Sequence, residues 1–174
     1  SFGPAANAIA GMRTGQMDAV SAMDPLMTHL EQRGEVRIVA DTRTLRGTQD
    51  LFGGPVPSAC LFAPVEFLQK QPAVAQALAN AVAHALKWLQ TAAPRDIIAT
   101  VPDAYQLGDR ALYLAALGRI REAISPDGLF ADEGVRSLRR ALSGVDAQFL
   151  DERIDLARSY TNDFARRARD RYVA

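Results

Sequence analysis

Two histidines, one cysteine and two lysines are the side chains on which catalysis would have to rest, and none stands in a spacing that does chemistry. His29 and His84 fall in different segments. No His-Glu-x-x-His or Cys-x-x-Cys arrangement accompanies them, so no metal site is predicted. The serines lack the Gly-x-Ser-x-Gly elbow of a hydrolase nucleophile. No Gly-rich stretch ends in Gly-Lys-Ser/Thr, the cradle for nucleotide phosphates. Lys70 and Lys87, the amines available for a covalent adduct, fall at helical positions expected to be exposed. Carboxylates are plentiful but lie on charged helix faces, where solvated ion pairs are the default. The sequence therefore predicts binding without catalysis, metal or cofactor.

Three places have the residue types that hold a small solute. At Phe2-Gly3-Pro4-Ala5 a loop opens into a helix. Free N–H groups there favour an anion such as sulfonate, carboxylate or nitrate, and Gly3 admits the ligand to the backbone. An ordinary helix start explains the same residues. At Met23-Asp24, the thioether would pack on an apolar part of a ligand, and the carboxylate would accept hydrogen bonds from a cationic one. The alternative for Asp24 is to cap the following helix. At Gly53, Gly54 and Ser58, backbone amides and a hydroxyl suit a polar solute; a bare hinge is the other reading.

The elements that would position these residues follow a strand–helix rhythm. Pro4 opens a helix that Gly15 ends, and Met17 to Ala22 is short, apolar and bounded by turns, which predicts a strand. Asp24-Pro25 starts a helix that Gly34 stops, Val36 to Ala40 predicts a second strand, and Ser58 to Phe62 a third. The stretch 41–50 reads as loop or short helix. After Pro64 everything reads helical: a short helix at Phe67, a long one over 72–92, a short one from Pro94, one capped by Asp109, then 132–142 and 149–171. The pattern predicts an α/β protein with a parallel-strand lobe over 1–57, followed by a third strand and a mostly helical part over 58–174. Its strands place the Val20–Asp24 linker at a carboxyl end, where such folds bind ligands.

The chain balances 20 Lys and Arg against 20 Asp and Glu, which argues against a nucleic-acid partner. Arg166, Arg167, Arg169 and Arg171 cluster near the end, as a helix terminus or a basic contact patch. Cys60, in an apolar run, is expected to be buried, and Trp88 to belong to the core. The opening at Ser1, directly before a strand-to-helix loop, points to a processed or truncated chain. Two or three strands under this many helices make an odd complete fold, so a fragment of a larger α/β protein is expected.

Taken in order, Gly3-Pro4-Ala5-Ala6, Gly15-Gln16-Met17-Asp18-Ala19, Asp24-Pro25 and Gly34 through Asp41 resemble the second lobe of type II periplasmic substrate-binding proteins. These serve ABC importers of the nitrate, sulfonate, taurine and thiamine-precursor group. Gly53-Gly54, Ser58-Ala59, Glu66-Phe67-Leu68, Gln71 through Val74, Ala85 through Leu89, Pro94 and the tail Ile154 through Ala165 extend the resemblance over nearly the whole chain. It implies a periplasmic-binding-protein-like fold that closes two lobes on a small anionic or aromatic solute and presents it to an ABC permease in the membrane. It also implies an extracytoplasmic location, and a missing amino-terminal lobe or a second copy as partner. An enzyme of thiamine-pyrimidine chemistry and a ligand-sensing regulatory domain share that fold and stand as alternatives.

Overall fold

The computed structural model describes the backbone of residues 4–150 and 154–172, with side chains at residue 7 and from residue 9 onward. The chain divides into two compact units, one of residues 1–41 and 93–121, the other of 42–92 and 122–174.

The first unit holds α1 (Pro4–Arg13), α2 (Leu26–Gln32), α6 (Pro94–Thr100) and α7 (Arg110–Ile120). Both α2 and α6 pack on α7. Among the described residues, Leu30, Ile97, Leu112 and Ala116 are its buried large apolar and alanine side chains. Helix ends are closed by recognisable devices. Gly15 and Gly34 take positive φ just past α1 and α2. The Asp109 carboxylate accepts from Leu112 N at 2.9 Å and caps α7. The buried Gln106 amide donates to the carbonyls of Ile98 and Val101 at 3.2 and 2.7 Å, covering groups that the end of α6 leaves over. Ion pairs between separate segments tie the unit together, Arg13 with Glu35 and Arg119 with Glu31, and Arg33 adds to the first.

The second unit holds α3 (Leu45–Phe52), α4 (Val65–Lys70), α5 (Pro72–Thr91), α8 (Asp132–Ser143) and α9 (Asp163–Tyr172). Its centre is the pairing of α5 with α9. Ala75, Ala83 and Ala168 are buried there, and small side chains let the helices approach closely. Arg167 Nε donates to Gln76 Oε1 at 2.6 Å, and Gln76 Nε2 donates to the Phe164 carbonyl at 3.0 Å. The His84 and Tyr172 rings stack with centroids 5.4 Å apart.

The α/β expectation is overturned: among the described residues no strand forms. Met17, at the start of the first predicted strand, donates its N–H to the Gly11 carbonyl at 3.1 Å, and the rest of the three predicted strands fall in stretches 18–23, 36–40 and 55–63, where the backbone makes no backbone–backbone hydrogen bond. A strand, unlike a helix, takes its hydrogen bonds from a neighbouring strand, so apolar patterning alone does not produce one. Cys60, expected inside such a strand, is exposed. Leu61 and Phe62 beside it are 58% and 93% exposed.

The continuous helix expected over 149–171 is also corrected. Short 3-10 turns at Ala147–Leu150 and Leu156–Arg158 precede α9. The Asn162 amide makes the break: it donates to the Phe130 carbonyl and accepts from Phe130 N, both at 2.9 Å. Its side chain thereby binds a distant backbone instead of tolerating a helix interior. Trp88, expected in the core, is exposed instead, at 37%.

Candidate functional site

The residues expected to bind solute fall in both units. In the first unit, Gly3 lies outside the described residues, and Pro4 and Ala5 form the first turn of α1. No acidic residue occupies that turn, which leaves the positive end of the helix dipole without an internal counter-charge.

Met23 and Asp24 precede α2. Met23 is 85% exposed. Asp24 Oδ1 accepts from both the backbone N and the Oγ1 of Thr28, each at 2.8 Å. Thr28 is fully buried, so this carboxylate has a structural duty at the start of α2. Pro25, not Asp24, occupies the N-cap position of α2, and Asp24 reaches the first turn from one residue earlier. The Asp24–Pro25 peptide is cis.

In the second unit, Gly53 takes φ of 71° and closes α3 through its N–H to the Gln49 carbonyl. Glycine is favoured at that left-handed position. Gly54 is buried, and a Cβ there would collide with Ser137 Oγ. Arg140 donates to Ser137 Oγ at 2.9 Å and to the Gly53 carbonyl at 3.3 Å. The Gly53-Gly54 pair is thus pinned to α8 by close packing. Ser58 lies beyond it, exposed, in the stretch 55–63.

The α8 surface carries a feature that the sequence reading passed over. Arg136, Arg139 and Arg140 share one face of α8 and line a cavity of about 330 Å³ with Phe149, Leu150 and Leu156. Arg139 Nε donates to the Phe149 carbonyl at 2.8 Å, which holds the 147–150 turn as one wall. Arg139 and Arg140 already spend guanidinium donors on the Phe149, Leu150 and Gly53 carbonyls and on Ser137 Oγ, so this face serves to hold the turn and the α3 end. The signal was the i, i+3, i+4 spacing of the three arginines on a predicted helix.

Tyr160 in the second unit and Glu35 in the first have displaced titration. The hydrogen bond to Asp132 Oδ1, 2.6 Å long, holds the Tyr160 phenol above its ordinary range. The hydrogen bond from Arg13 holds the Glu35 carboxyl below the usual carboxylate range. Among the described residues, no group of three or more His, Cys, Asp or Glu side chains gathers as a metal site would require. No described helix is long and apolar enough to cross a membrane.

Comparison with known proteins places this geometry in context. The model of the NMT1-like family matches residues 3–102. A solved protein from Bordetella bronchiseptica RB50 is 41% identical, with a TM-score of 0.86. The match covers 96% of this chain and 52% of that one, so the chain spans about half the length of that relative. No curated protein matches the chain.

Proposed function

Because this chain belongs to the NMT1-like family, we propose that it is part of a two-lobed protein that captures a small solute and passes it to an ABC permease outside the cytoplasm. The family match over residues 3–102 carries the reading. The stretches 18–23, 36–40 and 55–63 support it, because backbone groups without partners are what a sheet contributed by further polypeptide would satisfy. The role is binding without chemistry.

The residues this reading assigns to solute binding are Gly3, Pro4, Ala5, Met23, Asp24, Gly53, Gly54 and Ser58. The helix start at Pro4 offers N–H groups to an anionic end, and Met23 offers a yielding apolar surface. Asp24 and Gly54 act mainly by holding the loops that bear their neighbours. The solute class is a small sulfonate, nitrate, carboxylate or pyrimidine.

The test is thermal unfolding of this chain joined to the part of the Bordetella bronchiseptica protein that has no counterpart here, over a panel of those four classes. A ligand that binds only the folded state stabilises it by about 2.7 kcal/mol at a hundred times its Kd. One class is expected to raise Tm, and Gly3→Trp to abolish the rise. A rise that survives Gly3→Trp removes the loop from the site. Turnover of a pyrimidine in the same samples would replace the binding reading with the enzymatic one.

A further inference from the structure

Helix α5 is buried on one side only. Ala75 and Ala83 face α9. The opposite side carries Val74, Leu78, Ala81, Ala85 and Trp88, spaced by four, three, four and three residues, with Val82 beside them. Val74, Leu78, Val82 and Trp88 are 45%, 48%, 39% and 37% exposed. Ala81 and Ala85 are exposed as well. No charged residue interrupts the row. Alternating fours and threes are the spacing along which one helix receives another, and the central alanines let a second axis come close.

We propose that this row receives a helix from the remainder of a two-lobed NMT1-like protein, a polypeptide equivalent to the part of the Bordetella bronchiseptica relative that this chain does not match. The proposal rests on the two-lobed reading above and assigns it a docking surface. The relative is matched over 52% of its length, while 96% of this chain finds its counterpart there at a TM-score of 0.86. The relative therefore has nearly as much chain again to set against the same fold. A second copy of this chain fits less well. Two α5 rows facing each other would cover that helix and leave the stretch 55–63, with Leu61 and Phe62 exposed, without partners in both copies. A partner that brings both helices and strands covers both features.

Trp88, the lone tryptophan, stands at the end of the row and reports on its cover. The experiment compares the 174-residue chain with the same chain joined to that part of the Bordetella protein, whose own tryptophans are changed to phenylalanine. On joining, Trp88 emission is expected to move to the blue and its quenching by acrylamide to fall several-fold. Leu78→Glu is expected to restore the quenching seen in the chain alone. Ala81→Leu, which adds bulk only where the partner axis comes, is expected to restore part of it while leaving the circular dichroism of the chain alone unchanged. Val145→Glu, 90% exposed and off the row, is expected to leave the protection intact. If Trp88 stays quenchable while amide exchange in 55–63 slows, the two-lobed reading holds and this surface is wrongly assigned. If neither changes, both fail. A chain that is dimeric alone by light scattering, and monomeric as Leu78→Glu, would give the row to a second copy and overturn the proposal.

Discussion

Helix α5 and the stretch 55–63 lie in the same unit, and both turn apolar side chains to water, yet they are completed to different degrees. Helix α5 closes its own backbone hydrogen bonds and finds α9 for one of its faces. The stretch 55–63 makes no backbone–backbone hydrogen bond and leaves Phe62 93% exposed. A helix satisfies its backbone within one segment, whereas a strand borrows half of its bonds from elsewhere. Stability in this unit is therefore expected to reside in the helix pair, with 55–63 contributing only once further polypeptide is present.

The largest effect expected from that contrast is at Ala168, fully buried in α9. Ala168→Glu places an uncompensated charge against α5 and is expected to cost about 3–5 kcal/mol in denaturant unfolding. A cost below about 1 kcal/mol would show that the α5–α9 pair does not hold the unit. Asn162→Ala comes next. It removes both hydrogen bonds to the Phe130 backbone, leaving a part-buried N–H and carbonyl to find other partners. The expected loss is about 1–3 kcal/mol, read by the same unfolding.

A smaller effect concerns the 36–40 stretch of the other unit, whose start is held by Arg13 on Glu35. The folded state depresses the Glu35 pKa through that bond. The stabilisation is thus present above the ordinary carboxylate pKa and lost as pH falls through the depressed value. Carboxyl NMR titration is expected to find Glu35 below the ordinary range, and Arg13→Gln to return it. The smallest effect is at Phe62: Phe62→Ser is expected to change the stability of this chain by less than about 0.5 kcal/mol. A loss above about 1 kcal/mol would mean that 55–63 is already packed, and the contrast would collapse.

The helices were legible because their signals are local. Pro72 at the first turn and the apolar period that follows place α5 at Pro72–Thr91, where the sequence predicts 72–92. Asp109 caps α7, as its position before the apolar run predicts. The predicted strands carried equally good local signals, short apolar runs between turns, but their formation depends on a neighbour that no local signal supplies. The Phe149–Arg171 helix failed for a related reason, since the helix propensity around Asn162 gave way to a bond with Phe130, 32 residues away. At the candidate site, residue types suggested duties without fixing them. Asp24 suits a ligand or a cap, and its 2.8 Å bonds to Thr28, at the start of α2, could not be read from its type. The glycines at 53 and 54 were legible as a turn, but the close approach of Ser137 that Gly54 permits was not, because that contact joins residues far apart in the chain.

The α5–α9 pairing also fixes an order of events in synthesis. About seventy residues separate the end of α5 from the start of α9. At ordinary translation rates α5 leaves the ribosome roughly 4–15 s before its partner has been made. Throughout that interval the side of the helix that α9 buries, with Ala75 and Ala83, stays open to whatever meets it at the tunnel exit. Holdase chaperones are the natural occupants of such a surface. Synonymous codons that slow translation between residues 92 and 162 would lengthen the exposure and lower the soluble yield without altering a single amino acid.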